Sequence, residues 1–540
     1  MIELADIRVL LIEPHSGMRA SVHNMLNLCG ITKIEHGVSA GTSIGAIKSK
    51  YFDLILCEYE LGVGQDGQQL LEDIRHHKLA PLSTIFIMVT AERSYERVVS
   101  AAELAPNDYL LKPFTPDDLL ERVMRAFKKR DKFLPIYELM DKGEFQAAID
   151  ACKERELAKD RDQIDFMRLR AELHISLGEP ALAEPIYQLL NEMRKVAWAR
   201  LGLAKSMHLQ GRYDEAETIL TALVTENDRY MDAFDLLAKN HEESGRLESA
   251  AEVLNTAVEI SPHGVRRLRR LGSISLQIGD LVGAETQLKK VVNKVKYSEF
   301  KDPEDHVNLV NALVQRGNID QAKSVIRDLE RSMPDKLKTA ACKAISNAFI
   351  HAKNNDPRLI DELNAAVAAN RENIGLSTNL KLDLVKNCLK SDMDDAASEV
   401  VLEVMRNSTN KKEMTRAIGV FESEGKGFLG KQLAEQSRAE VMELVAAGVK
   451  KAKEGDFRGS VELMASAAKQ LPNNAQVVMN AALAFLKCLE HDGWEQGLAE
   501  QCRRLIDNSQ RLDPGNQRIA AMRKLYDELQ KKYGIGRSIV

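Results

Sequence analysis

Four polar residues stand at the ends of short apolar runs, and together they could form a charged site. Val9-Leu10-Leu11-Ile12 ends in Glu13, and Leu54-Ile55-Leu56-Cys57 ends in Glu58. Ile85-Phe86-Ile87-Met88-Val89 ends in Thr90, and Tyr109-Leu110-Leu111 ends in Lys112-Pro113-Phe114. Two carboxylates, a hydroxyl and an ammonium can make charge-assisted hydrogen bonds, and the Glu58 side chain is long enough to reach toward Lys112. Four runs that each deliver a polar residue at the C-terminal end describe strands of an open parallel α/β sheet, with the site at its carboxyl edge. Asp53 starts its strand and so lies at the opposite end.

Other residue types offer less. His76-His77 and the isolated His23, His174, His208 and His241 have no acid, Cys or Ser at nucleophile or metal spacing, and no glycine-rich phosphate loop is present. These histidines read as surface or half-buried helix residues, and the chain is not expected to be an enzyme.

The order acid, acid, Thr, Lys-Pro-Phe resembles response-regulator receiver domains. That resemblance implies a flavodoxin-like, doubly wound α/β domain with a five-stranded parallel sheet. It also implies roles: an aspartate at the position of Glu58 accepts a phosphoryl group, and two acids after the first strand hold Mg2+. Thr90 and Lys112 then match the residues that contact the phosphoryl group, and Tyr109 matches the switch aromatic. Here Glu58 stands at the phosphoacceptor position, and Pro14 follows Glu13 where the second acid is expected. Proline offers Mg2+ no carboxylate, so at most Glu13 remains as a metal ligand and no cofactor is expected. The stretch Glu58 to Gly67 also lacks the usual Met-Pro and is one residue longer before Asp66-Gly67. A glutamate reaching Lys112 would partly imitate the contact of an acyl phosphate, so the expectation is a degenerate receiver.

The chain has 540 residues, 5% aromatics and a net charge of -5. This balance argues against nucleic-acid binding, and the basic run Lys128-Lys129-Arg130 reads as a solvated helix end. The seven cysteines are scattered without metal or disulfide spacing, as expected in a reducing compartment. Met1 to Asp6 carries acids where a signal peptide carries basic residues, and no run of 18 apolar residues occurs. A cytoplasmic protein without membrane insertion is expected.

After residue 131 the period changes. Gly143, Gly178, Gly211, Gly245, Gly279, Gly317 and Gly455 are each followed five residues later by Ala148, Ala183, Ala216, Ala250, Ala284, Ala322 or Ser460. Seven residues before the glycine stands a small residue in most copies, as at Ala171, Ala204, Ala238, Gly272 and Gly448. Glycine closes a first helix in a left-handed turn, and small residues let a second helix pack closely against it. The register resembles the tetratricopeptide repeat, which implies an all-α superhelix with a protein-binding groove. Pro262 and Pro472, each seventeen residues past their glycine, end second helices. Between about 332 and 436 the helical pattern continues but the register is lost, and Gly425 to Gly430, with three glycines, reads as a turn or hinge. Gly497 and Asp513-Pro514-Gly515 mark a degenerate last repeat.

The expected organisation is therefore a receiver at 1–125, a helical linker at 126–133, repeats at 134–331, divergent helical repeats at 332–436, and C-terminal repeats with a capping helix at 437–540. The combination looks like auxiliary receiver-repeat regulators of gammaproteobacteria. That resemblance implies a noncatalytic two-component signalling protein. Its receiver would dock on a histidine kinase or phosphotransfer protein and its groove would hold a protein or peptide. A homodimer is compatible with it. A phosphorylation-switched regulator and an adaptor for a protease or motility machine are the alternatives. Arg200, Lys205, Lys239, Asn240, Arg270, Asn308 and Asn311 are candidate groove residues.

Overall fold

The structure, a computed structural model, describes residues 3–62, 66–91, 107–141, 144–158, 162–193, 196–262, 264–296, 301–333, 336–372, 374–408, 411–513 and 516–534. Val63 to Gln65, Gly143 and Pro514-Gly515 lie outside them, as does the side chain of His76. The chain divides into two compact units, Met1–Glu172 with Pro180–Asn318, and Leu173–Glu179 with Ile319–Val540.

The first unit opens with a five-stranded sheet in the order β2-β1-β3-β4-β5. Its strands are β1 (Arg8–Ile12), β2 (Lys33–Gly37), β3 (Leu54–Glu58), β4 (Ile85–Thr90) and β5 (Asp108–Leu111), and all pair in parallel. The helices α1 (Ser16–Leu28), α2 (Ala40–Ser49), α3 (Gly67–His76) and α4 (Pro116–Asp141) accompany them. Successive strand residues point to opposite faces, and both faces are apolar, as a covered parallel sheet requires. Leu10, Ile55, Cys57 and Phe86 pack with Ile44, Leu70, Leu71 and Ile74 on one side. Val9, Leu11, Leu54 and Ile87 pack with Val22, Leu26, Val123 and Phe127 on the other.

The expected linker at 126–133 is not a separate element. It lies inside α4, whose later residues Phe133 and Ile136 are buried, so the receiver's last helix runs straight into the repeats. In the run Lys128-Lys129-Arg130 the two lysines are exposed, as a solvated helix end should be, and Arg130 is largely covered. Lys129 pairs with Asp165 at 3.0 Å, and Arg130 pairs with Asp53 at 3.3 Å while stacking on Phe127.

From Phe145–Leu157 to Gln517–Lys532 the described elements are helices. Gly178, Gly211, Gly245, Gly279, Gly317 and Gly455 all have positive φ, as a left-handed helix ending requires. Ala148, Ala183, Ala216, Ala250, Ala284 and Ala322 are fully buried. At Gly272 an added Cβ would come 2.7 Å from Leu288 Cγ, so the close helix approach excludes a side chain.

The register does not disappear between 332 and 436. Asp392, with φ 53°, takes the glycine's left-handed place, and fully buried Ala397 follows five residues later. Asn355, with φ 52°, turns the preceding pair. Asp and Asn tolerate this conformation better than other non-glycine residues, which hid the repeat from a glycine search. The expected boundary at 436/437 falls within one continuous helix, Gly427–Lys453. Only Gly425 (φ 73°) makes a turn. Gly430 sits five residues later, in the small position, where a Cβ would lie 2.8 Å from Phe421 Cβ.

Candidate functional site

The parallel register brings the ends of β1, β3, β4 and the residue after β5 to one edge. Glu58 pairs in register with Val89, and Thr90 with Leu111. The Lys112 N–H donates to the Thr90 carbonyl at 2.8 Å, which aims the lysine side chain across the edge. Its Nζ donates to Glu13 Oε2 at 2.7 Å and also to Glu58 Oε2. One ammonium therefore bridges both carboxylates, which are only 3% and 8% exposed.

Each glutamate is held a second time. The His15 N–H donates to Glu13 Oε1 at 3.0 Å, and the Glu60 N–H to Glu58 Oε1 at 3.3 Å. Burial pushes the Glu58 carboxyl above the usual glutamate range, against the hydrogen bond and charge of Lys112. Burial alone would lower Lys112, but its bonds to Glu13 and Glu58 outweigh that and hold it above the usual lysine value. Both directions have one origin: two carboxylates in a poorly solvated site share a single cation.

Arg19 was not legible as a site residue. From the first turn of α1 its Nη1 donates to the Glu13 carbonyl at 2.7 Å and the Pro14 carbonyl at 3.1 Å. Pro14 thus supplies no side-chain oxygen, and its backbone oxygen already has a cationic donor. Thr90 is buried at the same edge. Tyr109 is half-buried on β5 and packs against the core on the α2 and α3 side of the sheet. Cys57, beside Glu58, has its thiol pushed well up by burial and is no nucleophile. The carboxyl edge of the sheet is therefore an ion-paired cluster with a buried hydroxyl beside it.

Asp66 and Gln69 close the neighbouring loop as a capping box: Gln69 N–H donates to Asp66 Oδ1 at 2.8 Å, and Asp66 N–H to Gln69 Oε1 at 3.1 Å. Asp53 stands at the far end of β3, receiving the Arg8 N–H at 3.0 Å.

His23 is half-buried and His77 exposed, as expected, whereas three other histidines differ from expectation. His174, His208 and His241 are buried. His174 meets Glu179 at 2.8 Å, and His208 meets Asn240 Oδ1 at 2.9 Å while lying edge-on to Tyr213. Helix packing makes these polar contacts between turns, and spacing along the chain gave no sign of them. Asn240, a candidate groove residue by sequence, is fully buried and also donates to the Tyr213 carbonyl at 2.8 Å, so it fastens two repeats together. Arg200 and Arg270 are engaged by Glu226 and Glu242. Asn311 accepts from Gln315, whereas Lys205 and Lys239 are exposed and Asn308 is half-buried. All seven cysteines are free thiols, and only Cys29 is not buried. Among the described residues no helix is long and apolar enough to cross a membrane, and no three His, Cys, Asp or Glu residues gather as a metal cage.

Comparison with known proteins agrees with this architecture. Residues 9–124 match the response regulator receiver domain, and 197–220 and 210–265 match tetratricopeptide repeat models. The chain thus carries a receiver domain at its N-terminus, followed by tetratricopeptide repeats. It is 29% identical over 125 residues to the chemotaxis protein CheY-3 of Vibrio cholerae, covering 23% of this chain and 94% of that protein. It is 28% identical over 124 residues to the chemotaxis protein CheY of Pseudomonas aeruginosa, covering 23% and 98%. A CheY-like receiver from Methanospirillum hungatei overlays 23% of this chain and 97% of its own, with TM-score 0.22 and 29% identity. A tetratricopeptide repeat protein from Parabacteroides merdae overlays 51% and 98%, with TM-score 0.36 and 18% identity.

Proposed function

We propose that this is a noncatalytic two-component signalling protein whose receiver is held in one state by its own ion pairs. In this reading the receiver docks on a histidine kinase or phosphotransfer protein, and the repeats hold a second protein or a second region of the same one. The protein modulates phosphotransfer through binding rather than by carrying a phosphoryl group. The observation that carries the proposal is Lys112 Nζ bridging Glu13 and Glu58. A phosphoryl group on Glu58 would sit one methylene further out than on an aspartate. It would also have to share Lys112 with the Glu13 carboxylate.

The donor set does not suit Mg2+. That ion wants near-octahedral oxygen ligands. Here the two carboxylates already share an ammonium, Pro14 has no side-chain oxygen, and Arg19 occupies the nearby carbonyls. The function therefore needs no metal step, and its surroundings are those of a cytoplasmic phosphorelay.

Incubation with acetyl phosphate and Mg2+ should leave the intact mass unchanged. Stoichiometric gain of one phosphoryl group on Glu58 would overturn the locked-receiver reading and favour the phosphorylation-driven switch. Glu58→Asp alone should remain unphosphorylated, and Glu58→Asp combined with Pro14→Asp should gain the group.

A further inference from the structure

Helix α3 is buried on a side that a lone receiver would show to water. Leu70, Leu71 and Ile74 face the sheet. Gln68, Glu72 and Arg75 stand at i, i+4 and i+7, a separate stripe turned roughly a third of a turn away. None of the three is exposed. Gln68 is only 5% exposed, and its Oε1 is buried without a hydrogen-bond partner. The groups around this stripe belong to the repeats of the same compact unit. Burial dominates the electrostatics of Glu72, Arg75 and Arg269, and the charges of Arg266 and Arg267 act on Glu72, that of Tyr137 on Arg75 and that of Asp73 on Arg269. Asp66, the cap of α3, lies within reach of Lys294.

Acidic groups on one short helix thus stand in the field of the basic helix Val265–Ile278 and its neighbour. Arg267 and Arg269 are already spoken for in part, by Asp235 at 2.9 Å and Asp305 at 2.6 Å. Arg266 is exposed and makes no ion pair among the described residues.

We propose that α3 is a built-in occupant of the groove formed by the first repeats, and that the groove's external ligand is an acidic helical segment which must displace α3 to present its carboxylates to Arg266 and its neighbours. This deepens the repeat half of the proposed function by giving the chemistry of its partner and a reason for the receiver's presence. The fit of α3 is serviceable but incomplete. Gln68 Oε1 is buried without gaining a partner, and Glu72 is disfavoured by burial and by the like charges of Asp66 and Asp73. An occupant of that kind can be exchanged.

The test uses full-length protein at pH 8, where Glu72 is ionised. Amide hydrogen exchange of the peptide spanning 67–76 should be at least threefold faster in Arg266→Glu and in Glu72→Arg, and should return toward the wild-type rate in the double swap. The peptide spanning 54–58 should not change, which separates release of α3 from unfolding of the receiver. Arg266→Ala and Glu72→Gln serve if either reversal fails to fold. A labelled peptide of residues 66–77 should then bind Glu72→Arg at least tenfold more tightly than wild type. Wild-type exchange in every variant, or equal peptide affinity for both proteins, would overturn the inference. Neither readout contains a kinase, so failure to find one leaves this result standing and counts only against the signalling reading.

Discussion

Removing the ammonium of Lys112 is the sharpest perturbation of the receiver site. In Lys112→Met the stem is roughly replaced, but the Glu13 and Glu58 carboxylates, 3% and 8% exposed, are left facing each other with no cation between them. Breaking a buried pair by deleting one partner typically costs about 3–5 kcal/mol. The Lys112 side chain keeps 14% of its exposure, and one glutamate can take up a proton, so the lower end, about 3 kcal/mol, is the working figure. Glu58→Gln does the opposite. It leaves one carboxylate for one ammonium and keeps a donor and an acceptor in place, so its effect should stay within about 1 kcal/mol.

The two tryptophans, Trp198 and Trp494, lie in the repeats, so fluorescence would not report on the sheet. Exchange of the strand peptides 8–12, 54–58 and 85–90 would. A loss of about 3 kcal/mol corresponds to roughly a hundredfold rise in globally controlled exchange, since each 1.4 kcal/mol is a factor of ten. The rise should shrink in the double variant Lys112→Met with Glu58→Gln, which carries one buried charge instead of two. Strand exchange in Lys112→Met within threefold of wild type would refute the argument that the lysine holds the two glutamates.

Two further predictions concern the repeats. Ala250 is fully buried among Ala238, Leu254, Leu268 and Leu271, so Ala250→Phe should cost about 1–3 kcal/mol by overpacking, read by urea unfolding followed through Trp198; an unchanged midpoint would disprove the helix contact. Burial holds Asp383 up to about 6, against the charges of Lys386 and Arg416. The folded state therefore binds the proton more tightly than the unfolded chain, so stability is greatest below the ordinary value near 3.8 and falls as pH rises through about 6. Asp383→Asn should be more stable than wild type at pH 7.5 by about 1–3 kcal/mol, with the difference vanishing near pH 4. A pH-independent difference in unfolding free energy would contradict it.

The site residues that end apolar runs were legible because a parallel strand delivers its last side chain to the carboxyl edge whatever surrounds it. Glu13, Glu58, Thr90 and Lys112 all arrive there. The strand Lys33–Gly37 has no such run. It is an edge strand of Lys, Ile, Glu, His and Gly, half solvated, so composition hides it. Arg19 escaped because its role depends on α1 turning back over the β1 loop. In the repeats a glycine rule found the pairs that glycine closes and missed those closed by Asn355 and Asp392. Gly427 and Gly430 read as part of a hinge because a glycine chosen for close approach looks, in sequence, like one chosen for a turn, and both lie inside the helix Gly427–Lys453.

The lock at Lys112 and the covered face of α3 bear on each other. A phosphoryl switch moves a receiver by changing the charge at its carboxyl edge. In this chain a lysine already bridges the two carboxylates at that edge. On the proposed reading, release of α3 from the groove would be driven by differential binding of a partner, because a ligand shifts an equilibrium only by what it gains in one state over the other. A single acidic segment at a hundred times its Kd supplies about 2.7 kcal/mol. Turning a closed state favoured 99 to 1 into an open one needs about 5.5 kcal/mol. For an equilibrium of that size one contact falls short. A partner that also grips the receiver gains effective concentration from the second contact and can make up the difference. On the proposed reading, the covalent union of a locked receiver with a repeat groove would work as a two-point detector, opened by a protein that presents both surfaces and little affected by one that presents a single acidic helix.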